Sequence, residues 1–344
     1  MNPQSTCHRP RRYPRLSTSL TCCGLALLVA SPGVLEAEVT METVAYGGWT
    51  NCVRLSNPAI EVVATTDVGP RVMRLARIGG TNIFKEWPDQ LGKTGGKEWR
   101  IYGGHRLWHA PEVQPRTYAP DNEAVKWKWT GKSLTLTQNV ESQTGLQKEV
   151  ELFLHGSEPE VEVVHRLINR SPWDITAAPW ALSVCQGPGR ALVPQEPVVP
   201  HSQKLLPGRT MSLWGYTDMA DPRYWWGTHF VGVSSDEAIR TSQKIGFMNT
   251  TGWAAFQRGN EVFLKRFGWF PGATYTDLGC NLEVFTSGDM LELETLGPET
   301  SIPPGGKVEH TERWYVFAAE LGGDSAKLKE SLDPLVARTR PVTR

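Results

Sequence analysis

The sequence predicts an all-β protein in which two antiparallel sheets pack together in one large domain. Short runs alternate apolar and polar residues with a period of two, and these runs are rich in Val, Thr, Trp and Phe. Gly, Asn, Asp or Pro bound the runs, as is typical of half-buried strands that end in turns. Convincing helical periodicity occurs only near the C-terminus, and no repeat or low-complexity tract divides the 344 residues.

Ten segments carry the strand pattern. In chain order they are IEVVATTDV (60–68), RVMRLARI (71–78), AVKWKWTG (124–131), SLTLTQNV (133–140), QKEVELFLH (147–155), VEVVHRLINR (161–170), EVFLKRFGWF (261–270), CNLEVFTS (280–287), MLELETLG (290–297) and KVEHTERWYVF (307–317). The stretch 190–222 is rich in Pro and Gly but also contains Leu213, Trp214 and Tyr216. We therefore expect an ordered excursion between strands there rather than a linker.

The C-terminal segment DSAKLKESLDPLVART (324–339) has the apolar spacing of a helix. Pro334 lacks the N–H group that a helix interior uses, so we expect it to interrupt or end this helix. The predicted organisation has three parts: a signal peptide over 1–37, a β domain over 38–322, and a C-terminal helix and tail over 323–344.

The first 37 residues have the organisation of an export signal. Arginines precede a short apolar core, LTCCGLALLVA, and small residues lead to an exit at Ala37. The apolar core is too short to span a bilayer. We expect cleavage before Glu38 and a secreted or periplasmic protein that has no stable membrane insertion after cleavage.

Composition restricts the kinds of partner. Lys plus Arg and Asp plus Glu both total 36, so the formal net charge is zero and nothing favours nucleic acid as a partner. The 14 Trp exceed the 8 Tyr and 10 Phe, a surplus that suits either a very large core or sugar-binding surfaces. Outside the leader, Cys52, Cys185 and Cys280 are too widely spaced for a disulfide framework or a zinc motif. We expect no metal and no cofactor.

The segment YGGHRLWHAPE (102–112) combines glycines, imidazoles and an arginine with a tryptophan and a glutamate. Such a mixture suits a saccharide, whose C–H faces stack on Trp and whose hydroxyls bond to Arg, His and Glu. The alternative is a glycine turn before a buried aromatic, with the charges in water. For a sugar site, we expect the Gly103–Gly104 turn to project three side chains together. These are His105, Arg106 and Trp108, and the further binding candidates are His109 and Glu112. We expect Glu112 either to bind a hydroxyl or to pair with Arg106.

Carboxylates supply the other half of a sugar site. Opening a cyclic sugar at its anomeric carbon needs a base for the anomeric hydroxyl and an acid for the ring oxygen. Glu292 and Glu294 share one face of a predicted strand, and Glu283 lies in the neighbouring strand. One of the first two is the predicted base, and Glu283 is a third candidate that is also expected to bind the substrate. The alternative is that all three are solvated glutamates of an outer face.

Three motifs resemble, in this order, those of a bacterial family within the galactose mutarotase-like superfamily: GGHRLWHAPE, NRSPWDITAAPWALS and LELETLGPETSIPPGG. The resemblance extends from Trp49 to Phe317 and implies an antiparallel β-supersandwich. In aldose epimerases of this superfamily, the catalytic glutamate precedes a Thr, a Pro-Gly turn and a strand that ends in an aromatic. Glu294 occupies the like position, so the resemblance implies that it is the base. It also implies that Arg106 holds sugar hydroxyls.

The sequence departs from the aldose epimerases at the acid. Their catalytic histidine corresponds to the stretch NRSPWDITAAPWALSV (169–184), which contains no histidine. Trp180 or Ser183 stands near that place, and neither donates a proton as imidazolium does. Trp180 is instead expected to bind the substrate. His105 or His109 could substitute, and His165 or His229 less so. The substitutes therefore have to come from other segments.

Two lysines and one histidine leave further alternatives open. Lys244 and Lys265 either add positive charge to the pocket or lie on solvated strand faces, whereas His165 is expected to be a structural histidine. Three functions follow from these alternatives: an aldose epimerase-like enzyme, a non-catalytic sugar-binding module, or a structural scaffold.

Overall fold

The alternating segments form strands in the computed structural model, which describes residues 39–343. Among these residues there are 21 strands. In chain order they are β1 (Thr40–Tyr46), β2 (Trp49–Ser56), β3 (Ile60–Thr65), β4 (Arg71–Arg77), β5 (His105–Ala110), β6 (Lys126–Trp129), β7 (Ser133–Thr137), β8 (Leu146–Leu154), β9 (Glu160–Asn169), β10 (Ile175–Gln186), β11 (Arg190–Pro194), β12 (Met211–Leu213), β13 (Tyr224–Trp226), β14 (Phe230–Ser234), β15 (Gln243–Phe247), β16 (Trp253–Arg258), β17 (Glu261–Phe267), β18 (Leu282–Ser287), β19 (Met290–Leu296), β20 (Thr300–Ile302) and β21 (Lys307–Ala318). All ten predicted strand segments are confirmed.

The strands form two antiparallel sheets. Sheet 1 has 11 strands in the order β1-β2-β3-β4-β5-β10-β19-β18-β15-β12, with β20 paired to β10. Sheet 2 has 10 strands in the order β13-β14-β11-β16-β17-β21-β9-β8-β7-β6. Val62 and Leu107 of sheet 1 and Val163 and Phe263 of sheet 2 belong to the main hydrophobic core. The predicted all-β fold of two packed antiparallel sheets is confirmed.

Several strands that the alternating pattern did not reveal lie in the middle of the sheets. Both β5 and most of β10 are buried on their two faces, so their sequences do not alternate. The excursion at 190–222 is ordered as expected, but it contains the strands β11 and β12. Leu213 and Tyr216 in this stretch are about half exposed.

Two helical segments complete the described residues. The first, α1 (Thr276–Gly279), is a single turn in which Asp277 and Leu278 have positive φ angles. The second, α2 (Ser325–Ala337), begins where the Asp324 side chain accepts a hydrogen bond from the Lys327 N–H. It packs Leu328, Leu332 and Leu335 against sheet 2 residues such as Leu264 and Tyr315.

Pro334 does not end α2. The helix continues to Ala337, because burial of Leu335 holds the last turn against sheet 2. The Arg338 N–H also donates to the Leu335 carbonyl and closes that turn. Tertiary packing therefore outweighs the missing hydrogen bond at the proline.

The predicted export signal lies outside the described residues, so its cleavage before Glu38 stays a prediction. Between residues 39 and 343, no helix combines the length and apolar character needed to cross a membrane. The boundaries of the predicted parts, at 38–322 and 323–344, likewise stay predictions.

Candidate functional site

The turn before β5 requires its two glycines. Tyr102, Gly103 and Gly104 have φ angles of 53°, 110° and 72°. A Cβ atom on Gly103 would lie 2.0 Å from the Lys85 carbonyl oxygen, and one on Gly104 would lie 2.3 Å from the Val72 carbonyl oxygen. Only glycine combines these backbone angles with so close an approach. The expected tight turn is confirmed, and it fixes where β5 begins.

Alternation along β5 separates the residues that were expected to act together. Arg106 and Trp108 lie on the outer face of sheet 1, whereas His105 and His109 lie between the two sheets. The prediction that His105 projects with Arg106 and Trp108 is wrong, because successive side chains of a strand point to opposite faces. The placement of His109 in the binding site is wrong for the same reason.

Register between neighbouring strands assembles the site on this outer face. Arg106 of β5 lies opposite Leu182 of β10, which lies opposite Glu294 of β19, which lies opposite Glu283 of β18. Directly opposed residues of antiparallel strands share a face. In a second row across the sheet, Glu292 lies opposite Phe285, which lies opposite Lys244 of β15. Four strands, β5, β15, β18 and β19, therefore bring polar side chains to one region of the sheet.

A cleft of about 620 Å³ lies over these residues. It is lined by strand residues and by loops that follow β4, β5 and β12. The lining residues are Trp99, Ile101, Arg106, Trp108, Glu112, Tyr118, Trp180, Leu182, Trp214, Tyr216, Ser242, Lys244, Phe285, Met290, Glu292 and Glu294. The cleft thus contains most of the predicted site residues, and its size suits a small polar ligand.

Aromatic rings form much of the cleft wall. Trp108 contacts Trp99 and Trp180, with ring centroids 5.4 Å apart in each pair, and it also contacts Tyr118 at 4.9 Å. Trp214 adds a fourth tryptophan from the loop after β12. The surplus of tryptophan in the sequence is therefore partly concentrated at this site.

Arg106 is held in the cleft with unused donors. Its Nη2 donates to Glu292 Oε1 at 3.1 Å, and its guanidinium carbon lies 4.5 Å from the Trp108 ring centroid. Only 2% of Arg106 is exposed, yet Nε and Nη1 have no hydrogen-bond partner among the described residues. Buried donors without partners are costly, so their presence in a cleft points to a ligand that completes them.

A lysine joins the other two glutamates. Lys244 Nζ lies 2.7 Å from Glu283 Oε2 and 3.0 Å from Glu294 Oε2. Trp180 Nε1 also donates to Glu294 Oε2, at 2.8 Å. Glu294 Oε1 has no hydrogen-bond partner among the described residues. Glu294 therefore presents one carboxylate oxygen that is free to accept from a ligand.

Burial of this group overturns two expectations. Glu283, Glu292 and Glu294 are all buried, so the interpretation as solvated outer-face glutamates is wrong. Lys244 is buried in the cleft as well, because β15 pairs with β18 and brings it to the acids. The interpretation of Lys244 as a residue on a solvated strand face is therefore wrong, since a single strand does not reveal what lies over it.

The electrostatics of the group follow from burial and pairing. Burial raises the pKa of Glu294 and of Glu283, although the charge of Lys244 acts in the opposite direction. Burial alone would lower the pKa of Lys244, but the charges of Glu294 and Glu283 outweigh it and raise that pKa. The lysine is thus protonated, between two carboxyl groups that compete for its charge.

The mouth of the cleft contains Glu112 and Tyr118. The Tyr118 hydroxyl donates to Glu112 Oε1, and burial together with this carboxylate raises the pKa of the phenol. Glu112 was predicted to bind a hydroxyl or to pair with Arg106. Its partner is instead Tyr118, because Glu292 already holds Arg106.

No histidine of residues 39–343 lines this cleft. His109 is fully buried beside Lys148 and Glu141, and burial lowers its pKa to about 3. His229 lines a different depression together with Trp253. The histidine acid of the aldose epimerases therefore has no substitute among the histidines that the sequence suggested.

His105 instead belongs to a buried chain of hydrogen bonds between the sheets. Ser183 Oγ and His105 Nδ1 lie 2.8 Å apart, His105 Nε2 and His165 Nε2 lie 2.7 Å apart, and His165 Nδ1 lies 2.9 Å from the His310 carbonyl oxygen. A carbonyl only accepts, so His165 carries its proton on Nδ1 and His105 donates from Nε2. Burial lowers the pKa of both imidazoles, which agrees with two neutral rings.

Glu312 lies beside this chain of hydrogen bonds, with its Oε2 4.0 Å from His105 Nε2. Lys265 Nζ lies 2.9 Å from Glu312 Oε1, and Trp314 Nε1 donates to Glu312 Oε2 at 2.7 Å. Ligand atoms of His105, His165 and Glu312 lie within 4.8 Å of one another, a spacing that could hold a metal ion. Each ring nitrogen and the carboxylate already have partners, however, so the cluster is satisfied as a structural network. Lys265, one of the two lysines considered for the pocket, is fully buried here.

Comparison with known proteins identifies the fold. No protein-family model matches the chain, and no curated protein matches its sequence. A galactose mutarotase-like protein from Lactobacillus casei aligns with a TM-score of 0.52 at 9% identity, over 78% of this chain and 100% of that one. A galactose mutarotase related enzyme from Lactobacillus acidophilus gives a TM-score of 0.52 at 10% identity, over 78% and 100% of the two chains.

A larger protein contains the same architecture. A TPR-domain containing protein from Parabacteroides distasonis aligns with a TM-score of 0.53 at 12% identity, over 83% of this chain. This chain spans 54% of the length of that protein. The predicted galactose mutarotase-like fold is thus confirmed, while identities this low show the fold alone.

Proposed function

We propose that the cleft over sheet 1 binds a saccharide. One observation carries this proposal: buried Arg106 has two unpartnered donors and buried Glu294 has one unpartnered acceptor in a cleft that four tryptophans line. A sugar hydroxyl both donates and accepts, so a single class of ligand completes both groups. The C–H faces of the ring match the aromatic wall.

The scaffold alternative explains these features less well. A protein that needed only a stable sandwich would gain by closing the cleft with apolar side chains, because unpartnered buried polar groups destabilise the folded state. The likeness of fold to a galactose mutarotase-like protein agrees with a saccharide ligand. We infer that the cleft is retained for binding.

We further propose that the protein is an aldose epimerase-like enzyme that interconverts the anomers of the bound sugar. Glu294 is the base: its Oε1 is free, and burial raises the pKa of its carboxyl group. Glu292 has a different role, since it orients Arg106. A base with a raised pKa accepts a proton from the anomeric hydroxyl more readily than an exposed carboxylate does.

The test is NMR saturation transfer between the anomers of a panel of neutral aldoses. It measures binding and anomeric exchange in one experiment. Glu294→Gln keeps the shape and most hydrogen bonds of the site but removes the base, so we expect binding without accelerated exchange. A wild-type protein that binds sugars but never accelerates exchange would be the non-catalytic module, and one that binds no sugar would be the scaffold.

A further inference from the structure

We propose that Lys244 is the general acid of this site and supplies the proton that the aldose epimerases take from a histidine. This inference rests on the proposed anomeric exchange and names a second residue for it. No imidazole lines the cleft within residues 39–343, so the ring oxygen needs another proton donor.

The position of Lys244 fits this role. Its Nζ lies 3.0 Å from Oε2 of the proposed base, Glu294, and 4.5 Å and 4.8 Å from the ring centroids of Trp180 and Trp214. Its Nζ donates to Glu294 Oε2 and forms an ion pair with Glu283 Oε2, and because an ammonium group has three N–H donors, a donor remains for a ligand. The lysine is therefore fixed beside the base and at the wall of the cleft.

The other candidate donors of the cleft fit less well. Arg106 is paired with Glu292 instead of the proposed base, and a guanidinium group is a weaker acid than an ammonium group. The Tyr118 hydroxyl is already committed to Glu112. Tyr216 is about half exposed, and the proton of such a phenol exchanges with solvent instead of being held for the ligand.

The spacing of the pair matches the two oxygens that react. The anomeric hydroxyl oxygen and the ring oxygen are bonded to the same carbon, so they lie close together on one side of the sugar. Two adjacent groups such as Glu294 Oε1 and Lys244 Nζ can reach both oxygens at once. A separate acid on the far side of the ring is then unnecessary.

The proposed step balances in atoms and charge. Glu294 takes the hydroxyl proton, and the O–H electron pair forms the new C=O bond of the aldehyde. The bond between the anomeric carbon and the ring oxygen breaks, its electron pair stays on the ring oxygen, and that oxygen receives a proton from Lys244. Closure on the other face of the aldehyde reverses both transfers and returns each proton to its owner.

Burial favours this pairing of base and acid. Before the step the pair is a carboxylate and an ammonium, and after it the pair is a carboxylic acid and an amine. The net charge of the site does not change, and two buried charges are removed together. The charges of Glu294 and Glu283 raise the pKa of Lys244 in the resting site, and protonation of Glu294 removes one of these charges and makes the ammonium a stronger acid. Glu283 remains beside Lys244 and helps to recover its proton on closure.

Lys244→Arg and Lys244→Met test the proposal. Arginine keeps the positive charge between the glutamates but does not release a proton, so a purely structural role would tolerate it. We expect both variants to bind the sugar and to lose anomeric exchange by about 10²–10⁴-fold, the range for a general acid. Lys148→Met is the matched control, because it also removes a buried, ion-paired lysine, but Lys148 pairs with Glu141 and does not line the cleft.

Lys244→Ala in the presence of methylamine or ethylamine gives a readout that a structural role would not move. A small amine that enters the vacated space should restore exchange, with a rate that depends on the acidity of the ammonium ion. If Lys244→Met fails to fold, the double variant Lys244→Met/Glu283→Gln takes its place in the experiment, because it removes one charge of each sign.

The outcomes separate the two proposals. If the wild type accelerates exchange and Lys244→Met or Lys244→Arg does so at the same rate, the acid role is overturned and the proposed function stays intact. Loss of binding in the folded Lys244 variants, without rescue by amines, also overturns it. Absence of accelerated exchange in the wild type overturns the proposed enzyme and this inference together.

Discussion

Arg106 is the residue whose environment is most informative about a ligand. It is anchored through Nη2 to Glu292, and the Trp108 ring supports its guanidinium group. The anchoring leaves Nε and Nη1 oriented but without partners among the described residues. Such preorganisation reduces the entropy lost when a ligand binds.

Arg106→Ala should therefore weaken sugar binding by about 1.5–3 kcal/mol, the range for hydrogen bonds to charged groups. Titration calorimetry or saturation-transfer NMR measures the loss. Arg170→Ala is the control, because Arg170 is exposed and its side chain donates to Gln147 on the surface, away from the cleft lining. Binding by Arg106→Ala that equals the wild type would show that the segment GGHRLW does not hold the ligand.

Gly103 tests how the turn sets the site. Gly103→Ala should lower the free energy of unfolding by more than Gly79→Ala does, when urea unfolding of both is measured. Both glycines have positive φ, 110° and 72°. A Cβ atom on Gly103 would lie 2.0 Å from the Lys85 carbonyl oxygen, whereas one on Gly79 would have no atom within 4 Å. Backbone strain of this kind costs on the order of 1–3 kcal/mol, to which the contact with Lys85 adds. Equal losses in the two variants would contradict the close-approach argument.

At the scale of elements, the packing of β5, β9 and β21 buries three imidazoles. His105, His165 and His310 are neutral in the folded protein, and burial lowers the pKa of His310 to about 3. In the unfolded chain the same groups return to values near 6.5. The unfolded state then binds more protons below that pH, so acid favours unfolding.

The contribution of these histidines to stability is complete above pH 6.5 and falls as the pH falls from there toward 3. Glu283 and Glu294 have raised pKa values and contribute a slope of opposite sign. The comparison of wild type with His310→Gln isolates the histidine part. We expect the variant to lose less stability than the wild type between pH 7.5 and 5.5 in urea unfolding. An identical slope would mean that His310 is not neutral in the folded state.

For the molecule as a whole, the two sheets present different outer faces. Helix α2 covers part of sheet 2 with Leu328, Leu332 and Leu335, whereas the outer face of sheet 1 opens into the cleft. The balanced charge of 36 basic and 36 acidic residues leaves neither sign in excess for a polyanionic partner. A small neutral ligand agrees with both features.

Export is the prediction that concerns the whole chain. We predict that protein isolated from its native host begins near Glu38, because the basic leader, apolar core and small-residue exit have the organisation of a cleavable signal. Mass spectrometry of the N-terminal peptide measures this directly. Recovery of the intact Met1 terminus from the mature protein would contradict export by this route.

Local patterns determined the fold class of this protein. The period of two depends only on neighbouring residues, and it identified ten strands and placed Glu292 and Glu294 on one face. The same rule separates His105 from Arg106, but the fully buried strand β5 does not alternate and was interpreted as a turn with projecting side chains. The tryptophan surplus and the segment 102–112 indicated Trp108 for the proposed sugar site, but they did not indicate Trp99 or Trp214.

The tertiary structure alone decided which partner each polar group has. Lys244 and Lys265 both lie in strands of similar pattern, yet pairing of β15 with β18 brings the first to Glu283 and Glu294, while β17 places the second beside Glu312 between the sheets. Trp99 and Trp214 reach the cleft from loops far apart in sequence. A residue's face in a strand depends on local geometry, but strand order and loop closure depend on contacts between distant segments, which no local pattern encodes.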